Sequence, residues 1–400
     1  METNTVTTTQ WERGALRPEV ELFLCCARAR LDEERIARLR QLLVETLDWN
    51  YILRFAESHG LVPLLYYHLH HHAPANVPPA IYEKLRDRFR RISALNVYLS
   101  GELRRLLKLF ATVDIDAIPY KGPALAAQAY GNIALRCFCD LDILVRQSDV
   151  LRVKELLIAE GYELYPQLNG VQQALMLRTQ CNLPFTRDNH RLIVEIHWLV
   201  SARLFSAPLD AENLWENVKL DTFEGMKIKT LLPEDLLLAL CVHGTKHLWE
   251  RLSWIADIAQ LLEIHPELKW SELLKRARRT GTERMLLLGL FVAHDLLGAK
   301  MPEGVIGQLE SDREIIKMAR QIYSQLFAEG NKASGISGYF LFQLKARRRL
   351  RDKFNYWRYA ISPTEEDLTM LSLPASLSFV YYLLRPLRML WTGGPTHLQH

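Results

Sequence analysis

Asp140-Leu141-Asp142 sets two carboxylates one apolar residue apart, running into Ile143-Leu144-Val145. Aspartate is disfavoured in strands, so two of them ahead of such a run need a reason. Strand side chains alternate faces. The spacing therefore predicts Asp140 and Asp142 on one face, with Leu141 and Ile143 on the other. A third carboxylate, Glu195, stands alone inside a second apolar run, Leu192 to Leu199. Three acids on neighbouring strands of one sheet can hold a pair of divalent cations. Such pairs orient triphosphates and activate an attacking hydroxyl. The bland alternative is an edge strand with solvated acids.

Other residues could complete such a site. Lys121-Gly122 reads as a strand-to-helix turn, where backbone N–H groups and the helix dipole favour phosphate. Gly122 would let a ligand approach the backbone, and Lys121 would add a point charge. Arg136, four residues before Asp140, could pair with that carboxylate or with a phosphate. His197 shares a strand face with Glu195 by period two, as a metal neighbour or a strand cap. His243, His247, Arg251 and Trp254 follow i, i+4, i+8, i+11 spacing, and Asp257 extends the row, if one helix runs through them. That stripe predicts a wall of the nucleotide cleft; a helix-packing face is the alternative. His-x-x-x-His can also bind zinc, but Gly244 follows His243 where a metalloprotease motif has Glu.

Tyr120-Lys121-Gly122-Pro123-Ala124-Leu125, Tyr130, Arg136 and Asp140 to Val145 together resemble the DNA polymerase β-type nucleotidyltransferase superfamily. Within it they are most similar to an uncharacterised bacterial branch that carries Lys-Gly where better-known members carry Gly-Ser. The likeness continues through Glu195-Ile196-His197-Trp198 and on from His243 to Ile258, spanning roughly residues 20 to 265. Where the better-known pattern has Ser, this chain has Pro123. The resemblance implies magnesium-dependent transfer of a nucleoside monophosphate from an NTP, with ATP the expected donor, releasing pyrophosphate. Asp140 and Asp142 would ligate two Mg2+ ions. Glu195 would ligate the catalytic one and help deprotonate the acceptor. Lys121, Gly122 and Arg136 would hold the triphosphate, and the C-terminal helices would shape the acceptor pocket. The residues leave the acceptor open: it would be a small molecule, sugar, peptide or protein. A non-catalytic nucleotide-binding or interaction protein that keeps the fold is the second reading.

The elements that must position these residues follow from periodicity. The fold class expected is α+β: a small mixed-sheet core, residues 112–232, between an N-terminal helical segment, 1–111, and a C-terminal helical domain, 233–400. Residues 18 to 110 repeat apolar positions at helical spacing. Strands are predicted from Ile115 to Pro119 and Leu141 to Val145, and a hairpin from Leu183 to Thr186 and Leu192 to His197, with a short strand from Met226 to Leu231. Helices are predicted over Gly122 to Tyr130, Ser148 to Glu160, 234–263, 271–298, 312–328, 336–358 and 376–391.

Composition sets the outer limits. Four hundred residues, 49% hydrophobic and 24% charged, describe a globular chain of two or three domains. A net charge of +4 is too weak to argue for nucleic acid as a partner. The six cysteines fit neither a zinc ribbon nor a secreted disulfide scaffold. Cys137 and Cys139 read as reduced residues near the site, with zinc ligation the alternative. Met1 to Trp11 lacks signal-peptide character, and no apolar run reaches the ~18 uncharged residues that span a bilayer. A cytoplasmic location is expected. The tail from Phe379 to Trp391 mixes aromatics with arginine and could rest on a membrane surface, a partner or, preferentially, its own domain.

Overall fold

The computed structural model describes residues 16–205, 211–328 and 335–392; Met1 to Trp11 lies outside them. Five helices lead the chain: α1 (Pro18–Cys26), α2 (Glu33–Leu42), α3 (Trp49–Ser58), α4 (Val62–His72) and the long α5 (Pro79–Thr112). Strands and helices then alternate: β1 (Ala117–Pro119), α6 (Gly122–Tyr130), β2 (Asp140–Val145), α7 (Val150–Ala159), β3 (Glu163–Leu164), α8 (Gly170–Thr179), β4 (Asn182–Arg187) and β5 (Leu192–His197). A short helix, α9 (Ala211–Glu216), precedes the hairpin β6 (Lys219–Phe223) and β7 (Met226–Thr230).

Ten helices close the described chain: α10 (Pro233–Lys246), α11 (Leu252–Ile264), α12 (Trp270–Thr280), α13 (Glu283–Leu297), α14 (Glu303–Ser311), α15 (Arg313–Leu326), α16 (Ile336–Lys345), α17 (Leu350–Ile361), α18 (Glu365–Met370) and α19 (Tyr381–Thr392). The architecture is α+β, with helices flanking a five-stranded mixed sheet of order β1-β2-β5-β4-β3. Only the β2–β5 pair is parallel.

Two hydrophobic cores lie on opposite faces of that sheet. Leu141, Ile143, Val145, Val194 and Ile196 pack with the end of α5, with α7 and with α8, and reach Leu368 and Tyr381 near the C-terminus. Leu144, Ile118 and Leu125 face a larger core that joins α1–α4 to α10–α16. The acids of β2 and β5 alternate with the first set, so they face the helical body. The site occupies that gap.

Several predicted helices are broken in the structure. The stretch 234–263 stops at Lys246 and restarts at Leu252, with Leu248 and Trp249 at φ 54° and 56°. The stretch 271–298 divides at Gly281, which takes the left-handed conformation after α12. The stretch 336–358 divides between Lys345 and Leu350, and α14 precedes the helix expected over 312–328. At the tail, a 3-10 turn over Ala375–Val380 leads into α19.

Candidate functional site

Parallel pairing of β2 and β5 sets Asp142 opposite Glu195 and Leu144 opposite His197. Two-residue alternation then brings Asp142, Glu195 and His197 to one spot. His197 Nε2 lies 3.0 Å from Asp142 Oδ1 and 3.1 Å from Glu195 Oε2. Its Nδ1 is 3.3 Å from the Tyr120 hydroxyl, which fixes the ring. Asn182, on β4 beside the same strand, donates to Glu195 Oε2 at 2.8 Å. Lys121 Nζ lies 2.8 Å from Asp142 Oδ1. One ligand atom each from Asp142, Glu195 and His197 falls within 4.8 Å of the others.

Asp140 stands differently. Among the described residues no side chain bonds to its carboxylate. Burial, then the charges of Asp142 and Glu195, push it up to about 7, against the smaller opposing pull of Lys121 and Arg136. Asp142 goes the other way. Burial works to raise it, but Lys121 and His197 hold it well below the usual carboxylate range. Glu195 is likewise lowered: burial is offset chiefly by the His197 hydrogen bond and charge. His197 would lose its proton through burial alone, yet its bonds to Asp142, Cys181 and Glu195 raise it well above an ordinary histidine. So Lys121 and His197 balance two carboxylates, and a third is left without a cation. The two carboxylates and imidazole that converge here could hold a divalent ion; Asp140, on the same strand face, is not among the converging ligand atoms.

The turn before α6 explains why glycine sits there. Gly122 has φ +52°, and a Cβ on it would meet the Asp140 carbonyl oxygen at 2.9 Å. Pro123 follows and removes one backbone N–H from that helix start. The anion-binding capacity expected of the turn is thus reduced by one donor, and Lys121 is its charged component.

Arg136 does not pair with Asp140. It donates twice to Asp257, Nε to Oδ1 and Nη2 to Oδ2, each at 2.9 Å, and Tyr130 donates to the same carboxylate at 2.8 Å. Asp257 therefore leaves the predicted stripe and clamps the end of α6 and the approach to β2 against α11. The rest of the stripe survives the break in its helix. The His243 ring lies 4.7 Å from that of His247 and 5.0 Å from that of Trp254, and the Arg251 guanidinium sits 5.7 Å over Trp254. Burial, then the positive charge of Lys121, lowers the His243 pKa well below its ordinary value. The zinc alternative gains no support: His243 and His247 have no third His, Cys, Asp or Glu ligand among the described residues. Cys137 and Cys139 are free thiols on the exposed side of the β2 approach.

Four contributors carry no role in the sequence reading. Tyr120 and Asn182 orient His197 and Glu195; the hairpin register could have exposed Asn182, which pairs with His197. Lys246 lies three residues after His243, so the same helical stripe signals it. Burial opposes its charge, but Tyr359, Cys181 and Glu195 raise its pKa. No ion pair engages its ammonium among the described residues. Glu365 heads α18. Burial, then the charge of Glu195, pushes it up to about 7. It reaches the site because Gln180 donates to the Pro363 carbonyl at 2.9 Å and Gln172 to that of Leu368 at 2.6 Å. No sequence spacing connects Glu365 to Glu195.

A family model described as an uncharacterised nucleotidyltransferase matches residues 45–298, more than half of the chain. No curated protein and no solved structure matches.

Proposed function

We propose, for a chain that belongs to this uncharacterised nucleotidyltransferase family, that it moves a nucleoside monophosphate from an NTP to an acceptor hydroxyl or phosphate and releases pyrophosphate. The DNA polymerase β-type superfamily remains the proposed affiliation and ATP the proposed donor. A small molecule, sugar, peptide or protein is the proposed acceptor, in the cytoplasm. The observation that carries the reading is Asp140: a carboxylate without a side-chain partner, on the same strand face as Asp142, which stands across from Glu195.

In this reading Asp140, Asp142 and Glu195 hold Mg2+ ions, with His197 adjoining. Two such ions would neutralise triphosphate charge and favour the alkoxide form of the acceptor. The chain's own residues do the rest. Lys121 and Lys246 bring positive charge to the phosphates from opposite walls. His243, His247, Arg251 and Trp254 offer polar and aromatic contacts to base and ribose. Arg136, engaged by Asp257, braces the floor. The acceptor oxygen's lone pair forms the new bond to the α-phosphorus as the bond to the bridging oxygen breaks. Pyrophosphate leaves with that electron pair, and the acceptor proton passes to Glu195 or, on the outer side, Glu365.

A non-catalytic nucleotide-binding role is favoured by two observations: Pro123 in place of serine, and Lys121 engaged with Asp142. Pyrophosphate release separates the two. Each of the four NTPs would be incubated with Mg2+ and a panel of sugars, peptides and small alcohols. Release that Asp140→Asn abolishes is expected; NTP binding with no release across the panel would favour the binding role.

A further inference from the structure

A nitrogen donor joins the carboxylates between β2 and β5. His197 Nε2 lies between Asp142 Oδ1, at 3.0 Å, and Glu195 Oε2, at 3.1 Å. Ligand atoms on adjacent corners of an octahedral ion with bonds of about 2.1 Å stand about 3.0 Å apart. The two imidazole-to-carboxylate spacings already have that length. His197 and Asp142 are 5% and 3% exposed, whereas Glu195 is half-buried and opens the cluster to solvent. Asp140, on the same strand face, stays outside this converging set.

The surroundings of His197 match those of a metal-bound histidine. Such a ring fixes its tautomer by giving its other N–H to an outer partner, and the carboxylates beside it are hydrogen-bonded in turn. Here Nδ1 meets the Tyr120 hydroxyl at 3.3 Å, and the two rings meet edge to face with centroids 5.4 Å apart. With its proton on Nδ1, the ring turns the Nε2 lone pair toward two carboxylates, an arrangement that a cation relieves. Asn182 donates to Glu195 Oε2 at 2.8 Å and so orients that carboxylate. Lys121 Nζ lies 2.8 Å from Asp142 Oδ1, so an ion there shares that oxygen or displaces an ammonium.

We infer that His197 Nε2 is itself a metal ligand, and that Asp142, Glu195 and His197 form a position for an octahedral first-row transition ion, with Mn2+ bound in preference to Mg2+. Mg2+ is a hard ion that keeps water and oxygen ligands. Imidazole suits the first-row transition ions, while carboxylates suit Mn2+ as well as Mg2+. One imidazole with two carboxylates therefore shifts the balance toward Mn2+. The inference rests on the reading of these acids as a metal site and refines it. A position that includes His197 differs in chemistry from one built on carboxylates alone. The rival is a histidine that only braces two carboxylates, which predicts no influence on the choice of ion.

The test takes the full chain, stripped with chelator and free of nucleotide, and titrates Mn2+ and Mg2+ separately by calorimetry. Mn2+ should bind about tenfold or more tightly than Mg2+. His197→Asn should lower the Mn2+ affinity about tenfold or more and leave that for Mg2+ within about twofold. Pulsed electron paramagnetic resonance of the Mn2+ form should show nitrogen coupling that His197→Asn removes, with circular dichroism unchanged. The wild-type coupling is read without any variant, so a substitution that fails to fold does not spoil the test. Mn2+ bound without nitrogen coupling, or a ratio of the two affinities that His197→Asn leaves unmoved, would overturn the inference and leave the acids as an oxygen-only metal site. Failure of both ions to bind, with or without a non-hydrolysable ATP analogue, would instead overturn the metal-site reading itself.

Discussion

At the level of single residues, Asp140 and Asp142 are neighbours of like type and unlike environment. Asp142 is bonded by Lys121 and His197; Asp140 is bonded by nothing among the described residues. In the folded chain Asp140 keeps its proton up to about pH 7, against a value of 3.8 for the unperturbed group. Between those limits the folded state binds more protons than the unfolded one. Its contribution therefore falls as pH rises through the window and is fully lost above it. Asp140→Asn mimics the neutral acid. It should melt with wild type near pH 4 but above it at pH 8, by on the order of 2 kcal/mol in metal-free buffer. Thermal scans at the two values check this, and equal melting at pH 8 would mean that no crowding of charge exists. Asp142→Asn should instead destabilise, because it strands a buried ammonium.

Lys121 has two duties that one substitution can separate. Lys121→Ala should raise the NTP dissociation constant about ten- to hundredfold, the loss expected for one charged phosphate contact. It should not weaken Mg2+ binding, since it removes an ammonium that competes for Asp142. Calorimetric titrations of each ligand distinguish this from a lysine that only pairs with Asp142, whose loss would leave NTP affinity at wild type. Period two alone made the shared face of Asp140 and Asp142, and of Glu195 and His197, legible in the sequence. The partners Lys121–Asp142 and Arg136–Asp257 were not, because ion pairing depends on which elements meet.

At the scale of the element, strands read more faithfully than helices. β2, β4 and β5 fall within a residue or two of their predicted bounds, since alternation switches sharply at their ends. The helix expected through 234–263 breaks for a physical reason. No glycine or proline interrupts Lys246 to Arg251, so local preference favours continuation. Packing overrides it: Trp249 fills a slot between α10 and α13, where Cβ atoms added to Gly244 and Gly289 would lie 2.6 and 2.9 Å from its ring. Burying an indole outweighs the roughly 1–2 kcal/mol cost of each residue at positive φ. Gly244→Ala should therefore cost about 1–3 kcal/mol through overpacking. Because His243 and Lys246 bracket it, NTP affinity should fall with stability. Denaturant unfolding and a nucleotide titration measure both, and a variant as stable as wild type would show that the slot is not tight.

At the scale of the whole molecule, the site is a seam between the sheet and the helical body, closed by a segment far along the chain. The family match ends at residue 298, yet Glu365 approaches Glu195. That approach depends on buried Asp367, which caps α18 through Thr364 and is held by Arg388 and Arg385. Arg388→Ala leaves a buried carboxylate short of a partner, a loss of about 3–5 kcal/mol for such pairs. Amide exchange over 364–372 should accelerate while that over β2 and β5 stays slow. Uniform exchange across both regions would mean that this segment is not a separate closing unit. None of this closure was legible in the sequence, because a single glutamate at a helix start carries no periodic signal. The α+β class was legible, since the periodicity changes from helical to alternating near residue 112 and back near Pro233.

If these acids form a metal-dependent nucleotide site, Asp140 is the residue whose replacement reports on it without disturbing a structural bond. Mg2+ and a non-hydrolysable ATP analogue would be titrated into the wild-type and Asp140→Asn proteins by calorimetry. Nucleotide binding should require Mg2+ in the wild type and weaken about hundredfold or more in the variant, a difference of roughly 3 kcal/mol. Equal nucleotide affinity in the two proteins, or affinity in the wild type that survives removal of the metal by chelation, would contradict it.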